Sequence, residues 1–228
     1  MERRQRGVTL IELLAVISII GILAVLVTGG AQKWIGSADK VKCVAHLKQL
    51  GRGIMLFAAD HNNHLPPSEE GVSSGSYPGP TFGTDVHPSG STWAEYISNI
   101  YLEGNRAVLQ CPAKPSEWTN SSRGKYVDYG LNQRLTPVGP NGYRQGLSFA
   151  AIKNPSRMIL LGDSAAYAGG EAKYGIYRIL SYSDLHPRHP NSSVNVLYLD
   201  QHAETLRLDF NAPPEFADPL GRSQFLPE

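Results

Sequence analysis

The side chains best suited to chemistry crowd the last third of the chain. Asp184, His186, His189, Asp200 and His202 lie close together in sequence, and Asp163 ends an apolar run beginning at Arg157. Imidazoles and carboxylates at this density suit zinc or another divalent cation, with Asp163, His189 and Asp200 as the candidate ligands. A plainer reading needs no metal: Asp200 caps a tight turn, and His189 packs or hydrogen-bonds beside it. Cys43 and Cys111 are the only cysteines. Either they close a disulfide, worth about 4 kcal/mol for a loop of this length, or they remain buried thiols. Gly162-Asp163-Ser164 is too short a pattern to define a hydrolase. The chain lacks a P-loop, a G-x-S-x-G elbow, an H-E-x-x-H pair and a dinucleotide fingerprint. The Asp60–Pro67 stretch has the Asp and Asn of a calcium loop without its glycine and closing glutamate, and reads as a polar turn leaving a helix. No catalytic residue and no cofactor is assigned, and the chain is not expected to be an enzyme. One further carboxylate stands out by its surroundings: Glu12 is the single charge in the apolar run from Val8 to Val27.

The elements that must carry these residues follow from composition and periodicity. The chain has 228 residues, 21 Lys and Arg against 20 Asp and Glu, 23 Gly and 16 Pro, which fits one loop-rich domain with an appendage. Setting aside residues 1–30 removes three Arg and two Glu and leaves 18 basic against 18 acidic residues. That balance speaks against a nucleic-acid partner. As a helix, Val8 to Val27 would be about 30 Å long, the thickness of a bilayer core. Arg3, Arg4 and Arg6 precede it and place the N-terminus in the cytoplasm and the rest of the chain on the far side of the inner membrane. A buried carboxylate such as Glu12 is costly in lipid unless it meets an opposite charge. Thr28-Gly29-Gly30 predicts a kink or local melting. Beyond it Trp34, Ala38, Val41, Ala45, Leu47, Leu50, Ile54 and Phe57 keep helical spacing, so an amphipathic helix runs to about Ala59.

Residues 61–92 read as a long surface loop. A short helix follows, capped by Ser91 or Thr92, with Trp93, Tyr96, Ile97 and Ile100 on one face. Strands are expected at 107–110, 126–131, 157–162, 174–180, 194–199 and 203–208, the last two forming a hairpin around Asp200-Gln201-His202. Paired antiparallel against the long helix, they give an α+β fold.

The segment Arg6-Gly7-Val8-Thr9-Leu10-Ile11-Glu12-Leu13-Leu14 resembles the class III signal of type IV pilins and type II secretion pseudopilins. The resemblance implies cleavage by a prepilin peptidase between Gly7 and Val8 and N-methylation of Val8. It makes Glu12 the fifth mature residue, which pairs with the amino terminus of a neighbouring subunit during assembly. Val8 departs from the usual Phe or Met. Lys42-Cys43-Val44-Ala45-His46-Leu47-Lys48-Gln49-Leu50-Gly51 is similar to the CxxNLKQLG segment of a pilin-like group found in planctomycetes and verrucomicrobia, with His46 in place of Asn. His189 through Asp200-Gln201 is similar to that group's H-x9-DG signature, with ten intervening residues and Gln201 for the glycine.

The resemblance implies a leader at 1–7, a transmembrane and assembly helix at 8–30 and an amphipathic helix at 31–60. A pilin-like α+β domain would occupy 61–210 and a Pro-rich tail 211–228. The implied partners are the prepilin peptidase, other pilin or pseudopilin subunits, an inner-membrane assembly platform and the lipid bilayer. The implied role is a structural subunit of a pseudopilus or pilus-like filament. The alternatives are a membrane-anchored adhesive minor pilin and an anchored metal-binding protein.

Overall fold

The computed structural model describes residues 9–68, 92–115, 127–138, 145–168 and 171–208, with side chains in the long helix given through Val25 and again from Gly36. The chain divides into two compact units, Met1–Ala38 and Asp39–Glu228. Helix α1 (Leu10–Asp60) begins in the first and ends in the second, and its backbone is helical through Thr28-Gly29-Gly30, where an interruption was expected. In the first unit, the large apolar side chains from Leu10 to Val25 are 52–82 % exposed on every side. A helix that is apolar all round needs lipid or neighbouring helices to cover it.

In the second unit α1 buries one stripe. Cys43, Leu47, Leu50, Ile54, Phe57 and Ala58 recur every three or four residues and are almost wholly buried, the spacing that puts side chains on one helix face. Val41 and Ala45, expected on that face, are exposed instead; the stripe that meets the sheet begins at Cys43. The helix ends where the Asn63 N–H reaches back to the Ala58 carbonyl (2.8 Å) and Asn62 and Asn63 adopt positive φ. Asparagine tolerates this left-handed C-terminal turn. Helix α2 (Trp93–Tyr101) starts at Thr92, whose N–H donates to Glu95, three residues on, one half of a capping box. Its Trp93 indole donates to the Tyr177 carbonyl at 2.6 Å.

The main sheet has β1 (Tyr129–Asn132), β2 (Ile159–Asp163), β5 (Arg178–Ile179), β6 (Ser193–Tyr198) and β7 (Ala203–Arg207), in the order β5-β1-β2-β6-β7. Strands β3 (Ala166–Ala168) and β4 (Glu171–Tyr174) form a separate pair. The fold is α+β, but the expected all-antiparallel sheet is corrected at one edge, where β5 runs parallel to β1. Gly130 permits this: a Cβ there would press on the Arg178 backbone and the Ile179 side chain. Two segments expected as strands differ. Arg106–Leu109 is a 3-10 turn whose Asn105 side chain accepts from the Ala107 N–H (3.2 Å). The run 174–180 is broken between β4 and β5, because Tyr177 gives its carbonyl to Trp93 and to the Leu131 N–H.

Both faces of the sheet are covered. Leu161 and Leu197 face the α1 side, whereas Ile159, Ile179, Val194, Val196 and Tyr198 pack with Leu185 and Leu208 on the other. Between Ile159 and Leu161 the register against β6 slips by one residue. This bulge re-phases β2, so that Leu161 and Asp163 turn toward α1 while Ile159 does not. At the end of β6, Tyr198 stacks on His202 (4.1 Å between centroids) and its hydroxyl donates to Glu204.

Gly130→Ala is expected to destabilise the domain by about 1–3 kcal/mol, because backbone rather than a side-chain tip must give way; urea unfolding of the full chain measures it. Burial, with the charge of Glu204 behind it, pushes the Tyr198 hydroxyl up to about 12. A folded value above the unfolded one means that this contribution is complete below about pH 10 and disappears as pH rises through 12. The unfolding midpoint is therefore expected to fall between pH 10 and 12, less steeply in Tyr198→Phe.

Candidate functional site

Three buried polar residues of the second unit, Asp128, Asp163 and His189, gather around the cystine formed by Cys43 of α1. Cys43 and Cys111 are bonded to each other, with Cα atoms 5.4 Å apart. The Cys111 backbone is fixed from both sides. Its N–H donates to Asp128 Oδ2 (2.8 Å), and the carbonyl of the preceding Gln110 lies 2.9 Å from His46 Nδ1. His46 thus ties α1 to the segment that delivers Cys111, with the Tyr129 hydroxyl 3.3 Å from the same ring nitrogen.

His189 lies against the disulfide. The turn that follows it holds Asn191 and Ser192 at positive φ, and His189 and Ser193 exchange backbone hydrogen bonds of 3.1 and 3.3 Å. This aims the ring inward. His189 Nε2 is 3.1 Å from Asp163 Oδ2 and 3.7 Å from Cys111 Sγ. Asp163, turned to this face by the β2 bulge, also accepts the Asn195 N–H at 2.7 Å. Both side chains are fully buried, and among the described residues Asp163 Oδ1 and His189 Nδ1 have no hydrogen-bond partner. Asp128 sits nearby, its carboxyl raised by burial against the opposing pull of Arg188. His186 is pushed down to about 4, first by desolvation and then by Arg188.

Of the three expected metal ligands, the structure brings Asp163 and His189 together and leaves Asp200 out. Asp200 sits at the β6–β7 turn, where it accepts the His202 N–H (3.1 Å) and meets that ring at 2.5 Å, both side chains partly exposed. The reason is local: Gln201 takes φ 74° in the turn and directs Asp200 to its own loop. Sequence reasoning missed Cys43 and Cys111 as neighbours of the His–Asp pair, since no spacing relates the four. The Gly162-Asp163-Ser164 triplet offers no nucleophile: Ser164 Oγ donates to the Ile176 carbonyl at 2.5 Å. Asp184 caps the turn Tyr182–Asp184, accepting from the Leu180 N–H (2.7 Å) and the Ser181 N–H (3.1 Å).

In the first unit Glu12 occupies the opening turn of α1. Its Oε2 accepts from the Thr9 N–H (2.8 Å) and the Thr9 hydroxyl (2.9 Å), while Thr9 Oγ1 lies 3.4 Å from the Glu12 N–H. Thr9 and Glu12 make the reciprocal cap of a helix start. Gly7 and Val8 lie outside the described residues, as do the greater part of the 61–92 loop and the 211–228 tail.

Comparison with known proteins places these features. Residues 3–28 match the prokaryotic N-terminal methylation motif. Type II secretion system core protein G of Escherichia coli (strain K12) is 38 % identical over 140 residues, covering 60 % of this chain and 92 % of that protein. The same-named protein of Dickeya chrysanthemi is 39 % identical over 74 residues, and that of Aeromonas hydrophila 37 % over 73; each match covers 32 % of this chain. These two matches span about half of the relatives' length, 48 % and 50 %. No solved structure matches. A methylation motif at the head of an apolar helix, followed by an α+β domain, defines the type IV pilin-like class. Within it, the chain belongs to the family of the type II secretion system core protein G, a pseudopilin family.

His189→Ala strips the Asp163 carboxylate of one of its two polar contacts and leaves it buried. Removing one partner of a buried pair is expected to cost roughly 3–5 kcal/mol, read as a lower urea midpoint in the full chain, whereas His202→Ala at the exposed turn is expected to stay within about 0.5 kcal/mol of the parent.

Proposed function

We propose that this protein is a structural subunit of a type II secretion pseudopilus. It is made as a precursor, cut by a prepilin peptidase between Gly7 and Val8, and N-methylated on Val8. The single observation that carries this reading is the methylation-motif match over residues 3–28, which contains the cleavage pair and Glu12.

Physical chemistry supports the assembly step. Among the described residues no helix is long and apolar enough to cross a membrane. The apolar run of the sequence continues past the described side chains at both ends, to Val8 and to Val27. Over those 20 residues or so it suits a single pass with the N-terminus cytoplasmic. Before assembly, the uncovered apolar residues from Leu10 to Val25 are matched to lipid. Packing against siblings and an inner-membrane platform replaces lipid contacts with helix contacts, which in a membrane is driven by close packing and polar pairs. Glu12 supplies the polar pair. Among the described residues its carboxylate accepts from the donors of Thr9, and the cationic amine of a neighbouring subunit's Val8 is a stronger partner in lipid. The globular unit is then displayed on the far side of the membrane.

Intact mass and N-terminal sequencing of the protein extracted from membranes are expected to show a chain starting at N-methylated Val8. A chain starting at Met1 in a host that has the peptidase would refute the pathway. Glu12→Gln keeps an acceptor for Thr9 and removes the charge. It is expected to be cleaved normally and to enter sheared filaments at least tenfold less, as read by quantitative immunoblot.

A further inference from the structure

Filament assembly makes no use of the buried cluster beneath α1. One donor atom from each of Cys43, Cys111, Asp163 and His189 lies within 4.8 Å of all the others, and all four residues are buried. They arrive from four places: α1, the segment after the 3-10 turn at 106–109, the end of β2, and the turn before β6. Two sulfurs, an imidazole and a carboxylate are the donor types of a tetrahedral zinc site.

The geometry points the same way. Around a tetrahedral zinc, ligand atoms at about 2.0–2.3 Å from the metal stand about 3.3–3.8 Å from one another. His189 Nε2 is 3.1 Å from Asp163 Oδ2 and 3.7 Å from Cys111 Sγ, close to two edges of that tetrahedron. The carboxylate and the sulfur approach the same ring nitrogen. This rules out a relay in which Asp163 orients one nitrogen while the other takes a proton from Cys111, because such a relay needs both nitrogens. It instead gathers the carboxylate and the Cys111 sulfur around one imidazole nitrogen, with the Cys43 sulfur bonded to that of Cys111. Asp163 Oδ1 is a buried acceptor with no hydrogen-bond partner among the described residues.

We propose that Cys43, Cys111, His189 and Asp163 form a redox-gated site for one zinc-type divalent cation, closed while the disulfide stands and opened by its reduction. An external dithiol supplies the electrons. One of its thiolates attacks a cystine sulfur and expels the other cysteine as thiolate; its second thiolate then attacks the dithiol sulfur of the mixed disulfide, expels the remaining cysteine, and the dithiol leaves as a cyclic disulfide. Cys43 and Cys111 gain two electrons and two protons. The cation then displaces both protons to solvent and binds two thiolates, neutral His189 through Nε2, and the Asp163 carboxylate. The sulfurs cannot be bonded to each other and ligate as thiolates together, so the two states exclude one another. Among the described residues His189 Nδ1 has no hydrogen-bond partner; without such support the site binds roughly 10–100-fold more weakly than a fully braced one.

The test uses the full chain in detergent, reduced with a phosphine and titrated anaerobically with Co2+. One cobalt per chain is expected, with a thiolate-to-cobalt charge-transfer band and the intense visible bands of tetrahedral cobalt. The oxidised chain is expected to show neither. His189→Ala is expected to weaken cobalt binding at least tenfold, and His202→Ala to leave it unchanged. Since His189→Ala is also expected to lose stability, the unsubstituted reduced chain is loaded with zinc and its ligand shell read by X-ray absorption. Two sulfurs at about 2.3 Å and two nitrogen or oxygen atoms at about 2.0–2.2 Å are expected. A reduced chain that takes no cobalt, a zinc shell without two sulfurs, or equal binding by the oxidised chain overturns the proposal.

Discussion

The globular unit depends on how one stripe of α1 is held against the sheet. From Cys43 to Ala58 the helix gives the sheet and α2 one apolar face, and burial of such side chains is the main favourable term available to a domain of this size. At the upper end of the stripe the apolar contact becomes covalent, through Cys43 and Cys111. His46, one turn on, holds the carbonyl just before Cys111. Farther along the helix, Tyr101 of α2 donates to Asp60. The helix is thus tied to the domain at both ends of its buried stripe, and the polar cluster lies where the first tie is made.

That position accounts for the cost the chain accepts there. A carboxylate and an imidazole buried together usually add less stability than apolar residues of the same volume. Here Asp163 accepts the Asn195 N–H across β2 and β6 and meets the ring that the 189–193 turn aims inward. The pair therefore fixes three pieces of backbone that apolar side chains would leave free to slide. Asp128 does the same for a fourth: its side chain accepts from Cys111, its N–H donates to Leu109, and its carbonyl accepts from Ser164.

Much of the architecture was legible in the sequence because it follows from local chemistry. The helical spacing of Leu47, Leu50, Ile54 and Phe57 announced the buried stripe, Thr92 announced the start of α2, and Val194–Leu199 with Ala203–Leu208 announced the hairpin. The N-terminal motif was legible for a different reason: it is a short linear motif whose residues are contiguous in the chain. What stayed hidden was set by distant packing. A two-residue parallel strand such as β5 has no pattern of its own and exists because Gly130 lets it approach. The cluster was half visible. Asp163 and His189 were singled out as polar residues near strand ends, but Asp200 was grouped with them by closeness in sequence. The β2 bulge decides which face Asp163 takes, and a bulge is a tertiary event that no alternation predicts. The cysteines lie too far away in the chain for spacing to tie them to His189.

The outer strand of the hairpin bears on life among neighbours. Strand β7 is the last in the order and, among the described residues, pairs with β6 alone. Glu204 and Arg207 stand exposed along it. At the opposite margin β5 is only two residues long. Charged and very short margins resist strand-to-strand annealing between copies. In the filament proposed for this chain, such margins would keep neighbouring globular units from annealing strand to strand and leave the apolar helix as the surface through which copies adhere.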